Sequence, residues 1–273
     1  MVPIGGLISL SAAPAGGSHV GIQEKQVGVF AATRWELNAL RRALSVEEAR
    51  SAPGARCVIG RRGGWRVFLF QTGIGIEAAQ GVCRRAFAGQ SFDLAVSSGF
   101  ACALTAADVG DLLIGTEVLL GGYPDGQTAS DRVLRCSPDL AAAAARAAQG
   151  AGLVARSGRL VTVPHVLCRA YEKREVAASA GAIGLDMESA AICEVAIEQG
   201  VPVVVARTVS DLVDEDLPVD FNLFLDRSGW TRGVLSCLTH PAAWSGLNRL
   251  RVQAGVSAER LTRFFGPFLD ELG

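Results

Sequence analysis

The chain has 273 residues, of which 49% are hydrophobic and 19% are charged, so it is long enough for one large domain or two small ones. Its formal net charge of -1 gives no reason to expect nucleic acid or another polyanion as the main partner. Its seven cysteines are scattered and form no C-x-x-C pair, which favours neither a disulfide framework nor a zinc site. A cytoplasmic protein with a small-molecule site is therefore the starting expectation.

The first 26 residues are predicted to form a flexible extension. The stretch MVPIGGLISLSAAPAGG has the short apolar run of a signal peptide, but it lacks a positively charged start and is interrupted by proline and glycine. No stretch of the sequence reaches the roughly eighteen apolar residues that a transmembrane helix needs. We expect the folded domain to cover residues 27–228 and a helical extension to cover residues 229–273.

Short apolar runs alternate with longer segments of helical period from residue 27 onward. The predicted strands are VGVFAA, the hairpin pair ARCVIG and WRVFLFQTG, then DLAVSSG, GDLLIGTEVLL, GLVA, RLVTV and VVVARTVSD. The predicted helices are RWELNALRRAL, IEAAQGVCRRAFAG, SPDLAAAAARAAQG, residues 169–178 and SAAICEVAIEQG. This order predicts an α/β fold, a three-layer α/β/α arrangement with a mixed, largely parallel central sheet.

Three predicted strands end in stretches that could form a binding site, because ligands of open α/β sheets collect where strands lead into helices. These stretches are FQTGIG, AVSSGFACAL and VVVARTVSD, and Glu36 follows the first strand. The glycines Gly73, Gly75 and Gly99 would let backbone amides approach a ligand closely. The TGIG stretch by itself also fits a plain strand-to-helix turn, since it lacks the third glycine of a dinucleotide-binding fingerprint.

Two acids near the end of the predicted core point to a reaction. Glu188 stands at the entry of a helix, where the helix dipole would hold it ionised and suited to accept both donors of a ribose diol. Asp211 follows seven mostly apolar residues, where desolvation tends to raise a carboxyl pKa and to make the group a proton donor. Taken singly, each acid also fits a helix cap or a turn residue. Together, a sugar acceptor and an acid for a leaving group fit cleavage of a glycosidic bond.

The stretch GLDMESAAI followed by VVVARTVSD resembles the nucleoside phosphorylase and nucleosidase superfamily, which includes the methylthioadenosine/S-adenosylhomocysteine nucleosidases. VGVFAATRWEL, QTGIG and DLAVSSGFACALTAADVGDLLIG are similar to family segments in the same order, so the likeness covers residues 27–224. The resemblance implies that Glu188 and Met187 hold the ribose. It also implies that Asp211 protonates or hydrogen-bonds the purine at N7 and that Glu36 activates water. Further candidates for substrate binding in the same motifs are Gly73, Ser98, Gly99 and Ser210.

The loop SSGFACAL has no cation, and this bears on whether water or phosphate is the nucleophile of the predicted reaction. Phosphorylases of this superfamily generally have an arginine and a serine in the loop that reads SSGFACAL here. This chain has no basic residue between Asp93 and Asp111, and Ser97 and Phe100 stand there instead. Phosphate would lack its strongest partner in that loop, although Arg34 could supply a cation from the first loop. Water is therefore favoured as the nucleophile, and phosphate stays open as an alternative.

The C-terminal part adds a hypothesis about the substrate. DMES, VSD and a long, arginine-bearing helical tail look most like the hopanoid-associated phosphorylases, and this resemblance implies adenine release from the lipid nucleoside adenosylhopane. Residues 241–268 form a basic amphipathic pattern. That pattern fits a helix packed on the domain or on a partner subunit, and it equally fits a helix that meets an anionic membrane surface.

Our main hypothesis is an enzyme that cleaves the N-ribosidic bond of a purine nucleoside, and the resemblance suggests a lipid nucleoside such as adenosylhopane as a candidate substrate. The alternatives are a methylthioadenosine/S-adenosylhomocysteine nucleosidase, a phosphate-dependent purine nucleoside phosphorylase and a non-catalytic nucleoside-binding module. We expect a homo-oligomer with no metal, no organic cofactor and no nucleic-acid partner. The lipid substrate would add peripheral membrane contact through the C-terminal helices.

Overall fold

The computed structural model describes residues 24–52, 55–121, 132–225 and 241–273. Most of the predicted N-terminal extension lies outside the described residues, as do Trp230 and Cys237. The strands are β1 (Lys25–Ala31), β2 (Ser45–Ala52), β3 (Ala55–Arg62), β4 (Trp65–Gln71), β5 (Leu94–Ala103), β6 (Leu112–Leu120), β7 (Val133–Arg135), β8 (Ala155–Thr162), β9 (Gly184–Asp186) and β10 (Val203–Leu212). The helices are α1 (Arg34–Arg41), α2 (Ile76–Gly89), α3 (Pro138–Gly150), α4 (Ala170–Ala180), α5 (Ser189–Glu198), α6 (Asn222–Leu225) and α7 (Pro241–Leu272).

These strands form one mixed sheet in the order β10-β6-β8-β9-β5-β1-β4-β3-β2, with β7 beside β6. β5 also pairs with β10, so five of the strands close into a ring at one end of the sheet. β1 runs parallel to β4 and β5, and β5 runs parallel to β10. The carboxyl ends of β1, β5 and β10 therefore lie at the same edge, where ligands of α/β sheets bind.

Helices cover both faces of the sheet and confirm the predicted three-layer α/β/α class. α1, α3 and α7 pack on one face, around a core that includes Leu37, Leu40, Phe264 and Phe268. α2 and α5 pack on the other face, around a second core that includes Phe30, Phe92 and Ile192. The near-continuous apolar strands follow from this arrangement, because a sheet buried on both faces has no polar side.

The predicted elements differ from the observed ones in several places, and the short elements β7, β9 and α6 were not predicted. RWELNALRRAL was predicted to be helical throughout, but α1 ends at Arg41, and the following SVEEARSA forms the unpredicted strand β2. β2 is an edge strand that pairs with β3, and its charged residues hide the apolar alternation of a half-buried strand. GLVA and RLVTV were predicted to be separate strands, but only Ala155 of GLVA is in a strand, and it begins the strand β8 that includes most of RLVTV.

The C-terminal helix α7 belongs to the core of the domain. Its apolar residues Leu261, Phe264, Phe265, Phe268 and Leu269 are fully buried. Thr262 Oγ1 donates to Ala39 O at 2.8 Å, which ties the helix to α1. Across the described ranges, none of the helices has both the length and the apolar character that spanning a bilayer requires.

Candidate active site

Glu36 is held at the N-terminus of α1 by the local sequence TRWE. Thr33 is the N-cap, and its backbone N and Oγ1 donate to Glu36 Oε2 at 2.6 and 2.8 Å. This reciprocal capping box fixes the carboxylate from one side. From the other side, Phe100 N on β5 donates to Glu36 Oε1 at 2.7 Å. Only 3% of Glu36 is exposed, so both carboxylate oxygens are positioned in a buried place.

Gly99 permits the approach of Glu36 to β5. A Cβ atom at Gly99 would clash with Glu36 Oε1 and would lie 2.6 Å from Nη1 of Arg207. Glu36 and Arg207 therefore occupy space that a side chain at position 99 would need. Gly99 was predicted to let a backbone amide approach a ligand, and the structure shows the side chains of Glu36 and Arg207 at this place.

Arg207 on β10 is the cation at this place, and it is 1% exposed. Its Nη2 donates to Ser97 Oγ and to Ser189 Oγ, each at 3.0 Å. Its Nε lies 3.0 Å from Asp186 Oδ2, and its Nη2 lies 3.7 Å from Glu188 Oε2. Nη1, on the side of Glu36 and Gly99, has no hydrogen-bond partner among the residues that the structure describes. Burial by itself lowers the pKa of Arg207, but the surrounding carboxylates outweigh it and keep the pKa above its usual value.

Asp186 performs the helix-capping function that Glu188 could have had. Its Oδ1 accepts from the backbone N of Ser189 at 3.1 Å and of Glu188 at 3.3 Å, and also from Thr162 Oγ1 at 2.8 Å. Its Oδ2 accepts from Ser189 Oγ and faces Arg207. Because Asp186 serves the amides at the start of α5, the side chain of Glu188 is free to do something else.

Glu188 is the N-cap residue of α5, yet its side chain makes no capping hydrogen bond to that helix. Its Oε1 instead accepts from Gly75 N at 2.9 Å. Gly75 is far from Glu188 in the sequence and lies at the start of α2. Gly75 has φ of 97°, a left-handed conformation that suits glycine and turns its amide toward the carboxylate.

The sequence led us to expect that the helix terminus holds Glu188 ionised, but its burial acts in the opposite direction. Burial raises the pKa of Glu188 to about 7, against the opposing effect of Arg207 and with the help of two neighbouring acids. Three carboxylates, those of Glu36, Asp186 and Glu188, share one guanidinium, so a proton at one of them relieves their mutual repulsion.

Asp211 lies at the end of β10, just after a register shift between Val209 and Asp211 in the pairing with β5. Ser210 Oγ donates to Asp211 Oδ1 at 3.0 Å, and Lys173 Nζ donates to Asp211 Oδ2 at 2.8 Å. The side chain of Asp211 is 17% exposed. The sequence suggested an isolated carboxyl at an apolar strand end, whereas the structure pairs this carboxyl with a buried ammonium.

The other predicted site residues have varied surroundings. Met187 is partly buried and packs against the cluster of Cys102, Leu104 and Val161, so much of its surface serves the core. Ser98 is fully buried and its Oγ donates to Ala206 O at 3.1 Å, which commits its side chain to the neighbouring strand. It is the adjacent Ser97 whose hydroxyl contacts Arg207.

The remaining two predicted site residues, Ser210 and Gly73, lie near the ends of strands. Ser210 Oγ donates to Ala101 O at 3.3 Å as well as to Asp211. Gly73 lies between β4 and α2 with φ of 83°, and its N donates to Ala32 O at 3.1 Å. Both are thus at the same edge of the sheet as the carboxylates, where the prediction placed them.

Sequence reasoning missed Arg207 and Lys173, the two cations of the site. A signal for Arg207 was present, because a single arginine inside VVVARTV must be buried and a buried charge needs a partner. Lys173 had no such signal, since it lies in the polar helix AYEKREVAASA, where a lysine is ordinarily exposed. In the part of the chain that is described, no three His, Cys, Asp or Glu side chains are grouped to hold a metal ion.

The model of the family described as the phosphorylase superfamily matches residues 26–231, which is most of the chain. The chain belongs to the phosphorylase superfamily. A curated member similar to it is the 5'-methylthioadenosine/S-adenosylhomocysteine nucleosidase of Shewanella sp. strain MR-7. The two are 26% identical over 224 residues, covering 78% of this chain and 95% of the relative.

Solved structures of this superfamily share the fold. The methylthioadenosine/S-adenosylhomocysteine nucleosidase of Helicobacter pylori has a TM-score of 0.69 at 19% identity, covering 91% of this chain and 99% of that one. The futalosine hydrolase of the same organism has a TM-score of 0.68 at 19% identity, covering 91% and 98%. The chain is thus an enzyme of the class that cleaves N-glycosidic bonds of nucleosides. The similar scores of two enzymes with different names mean that the fold alone does not choose the substrate.

Proposed function

We propose that this enzyme hydrolyses the N-ribosidic bond of a purine nucleoside, with water as the nucleophile. The observation that carries the proposal is the buried pair of Glu36 and Arg207 at Gly99. One group is a carboxylate that can take a proton, and the other is a guanidinium whose Nη1 has no hydrogen-bond partner within the described part of the chain. A water held between them would be oriented by Arg207 and deprotonated by Glu36 as it attacks the sugar.

The charge of this cluster favours water over phosphate. Glu36, Asp186 and Glu188 lie around the one guanidinium, which is already engaged by Ser97, Ser189 and Asp186. A phosphate dianion would meet carboxylates in a buried place where like charges repel strongly. Arg34, the cation that could have served phosphate, is exposed at the start of α1.

The remaining carboxylates fit the two ends of the substrate. Glu188 has one oxygen on Gly75 N and would accept from a ribose hydroxyl once it has lost its proton. Asp211, in its protonated form, would donate a proton or a hydrogen bond to the base as it leaves, which stabilises the developing negative charge on that base. Positive charge grows on the ribose ring in such a reaction, and the neighbouring acids stabilise it.

For the substrate, we propose a nucleoside of the 5'-methylthioadenosine and S-adenosylhomocysteine type. Support comes from the curated relatives, which carry that name at 24–28% identity and align over 93–95% of their own length. The lipid nucleoside adenosylhopane was the main hypothesis from the sequence, and it has less support. Its structural argument was a membrane-facing tail, and the aromatic residues Phe264, Phe265 and Phe268 of that tail are buried in the domain.

Base release from a panel of nucleosides tests the proposal. Methylthioadenosine, S-adenosylhomocysteine, adenosine and inosine are incubated with the protein, with and without phosphate, and the free base and the sugar product are quantified. We expect adenine and the free sugar at a rate that phosphate does not change. A strict need for phosphate, with a sugar 1-phosphate as product, would contradict hydrolysis.

A Glu36→Gln variant tests the nucleophile directly. We expect kcat to fall by about 10²–10⁴-fold, while the Kd of a non-cleavable substrate analogue stays within about threefold of wild type. Glu77→Gln is the matched control, because Glu77 is also in the first turn of a helix but is exposed. Equal losses in the two variants would remove Glu36 from the reaction.

Liposomes test the lipid hypothesis separately. If the tail served a membrane, the full chain would bind anionic vesicles and salt would release it. We expect no such binding from residues 257–269, whose apolar side is already packed.

A further inference from the structure

Lys173 on α4 is 1% exposed, although other charged residues of this helix, such as Arg174, are exposed. Lysine is almost never fully buried unless it is paired. Its Nζ donates to Asp211 Oδ2 at 2.8 Å, to Leu212 O at 3.2 Å and to Glu215 O at 3.0 Å. An ammonium has three donors and no acceptor, so these contacts use all of its hydrogen-bonding capacity.

All three acceptors lie in one short segment, residues 211–215, that follows the register shift near Ser210. Such irregularities of a strand re-aim the next side chain and weaken the regular ladder around it. Lys173 supplies contacts that hold the segment after the shift. With Ser210 Oγ on Oδ1 and Lys173 Nζ on Oδ2, both carboxylate oxygens of Asp211 have a fixed partner.

Other contacts between α4 and this segment do not involve Asp211. Arg174 Nη1 donates to Asp214 Oδ1 at 2.8 Å on the surface, and Ala170 N donates to Asp216 Oδ1 at 2.8 Å. Holding the segment against α4 is therefore shared among several residues. Among these contacts with α4, the one to the carboxylate of Asp211 is made by Lys173, so the effect of Lys173 on Asp211 can be separated from its effect on the segment.

We propose that Lys173 is a positioning residue that aims Asp211 at the leaving base. This inference rests on the proposed function, because it takes Asp211 to be the group that assists the base. A proton donor must lie within about 2.6–3.2 Å of its acceptor. A misplacement of about 1 Å can cost about 10²-fold in rate. The ammonium removes the rotational freedom that an aspartate side chain at a strand end would otherwise have.

The test is a double-mutant cycle with methylthioadenosine as the probe. Lys173→Met keeps much of the side-chain length and removes the charge and all three donors. We expect it to lower kcat by about 10–100-fold with little change in KM, because positioning acts on the transition state. In the Asp211→Asn background, the same change should lower kcat by less than about twofold, since Lys173 acts through Asp211.

Two further variants control for folding and for charge. Arg174→Met removes a cation from the adjacent position of α4 and should leave kcat within about twofold of wild type, because its pair is exposed. Lys173→Arg keeps the charge but not the ammonium geometry, so it should recover part of the lost rate. If Lys173→Met does not fold, Lys173→Arg combined with Asp211→Asn gives the same cycle. Thermal unfolding of every variant is recorded.

The outcomes separate the two proposals. The positioning role would be overturned if Lys173→Met kept the wild-type kcat, or if its loss multiplied fully with the loss of Asp211→Asn in the double variant. In either case the wild-type protein would still release adenine. A wild-type protein that released no base from any nucleoside would instead overturn the proposed function, and the inference with it.

Discussion

Around Arg207, three buried carboxylates share one guanidinium, whereas at the end of β10 the single carboxylate of Asp211 faces the single ammonium of Lys173. At the first place the acids outnumber the cation, and burial there raises the pKa of Glu188 to about 7. At the second place the charges are matched. Burial by itself lowers the pKa of Lys173, and the charge of Asp211 outweighs it, so that the pKa lies above its usual value.

The difference fits the chemistry proposed for each place. An acid-rich cluster repels phosphate, attracts the positive charge that grows on a ribose ring and can lose a proton when a sugar binds. A matched ion pair keeps its geometry. A group that must contact one atom of a leaving base requires such a fixed geometry. The following predictions test this contrast, from the largest expected effect to the smallest.

Asp211→Asn should have the largest effect on activity. An amide cannot donate an acid proton, so we expect base release to fall by about 10²–10⁴-fold while the fold is kept. Asp214→Asn is the control, because Asp214 is an exposed acid three residues along. Rates of adenine release are compared, and a variant with more than about a tenth of the wild-type rate would contradict a proton-donating role for Asp211.

Arg207→Met should have the largest effect on stability. Removing the cation leaves buried acids without their partner, which typically costs about 3–5 kcal/mol of unfolding free energy. Arg174→Met breaks an exposed ion pair and should cost less than about 1 kcal/mol. Urea unfolding of both variants measures the two losses. Similar losses would mean that the buried cluster does not depend on its guanidinium.

Glu188→Gln should change how stability depends on pH. The folded-state pKa of Glu188 is raised above the unfolded value, so the folded protein holds this proton more tightly than the unfolded chain. Its contribution to stability is therefore present below about pH 4.5 and is lost as the pH rises to about 7. Between pH 5 and 7, we expect wild type to lose about 1–3 kcal/mol more than the Gln variant.

Urea unfolding at several pH values measures this difference, and comparing the two proteins removes the contribution of all other titrating groups. Parallel curves for wild type and Glu188→Gln would mean that Glu188 does not hold the extra proton in the folded state. The contrast between the carboxylate cluster at Arg207 and the matched pair of Lys173 and Asp211 would then have to rest on another acid of the cluster.

Much of the fold could be predicted because it depends on local pattern. Apolar strands, helix periods and the paired glycines between β3 and β4 gave the right fold class and most of the longer elements. β2 was missed because it is an edge strand that is rich in charged residues. It is a strand because it pairs with β3. Similarly, only packing against α1, α3 and the sheet decided that the aromatic residues of α7 belong to the core.

For the site, the sequence by itself determined where the acids stand, since Glu36, Glu188 and Asp211 follow strands or open helices whose ends meet at one edge of a parallel sheet. It also required that Arg207, inside an apolar strand, find a partner. Only the tertiary structure decided which polar and charged groups contact one another. Lys173 and Asp211 are 38 residues apart in the chain, and Glu36 and Phe100 are 64 apart. Protonation follows from such contacts, because burial and neighbouring charges, rather than residue type, set the pKa of Glu188.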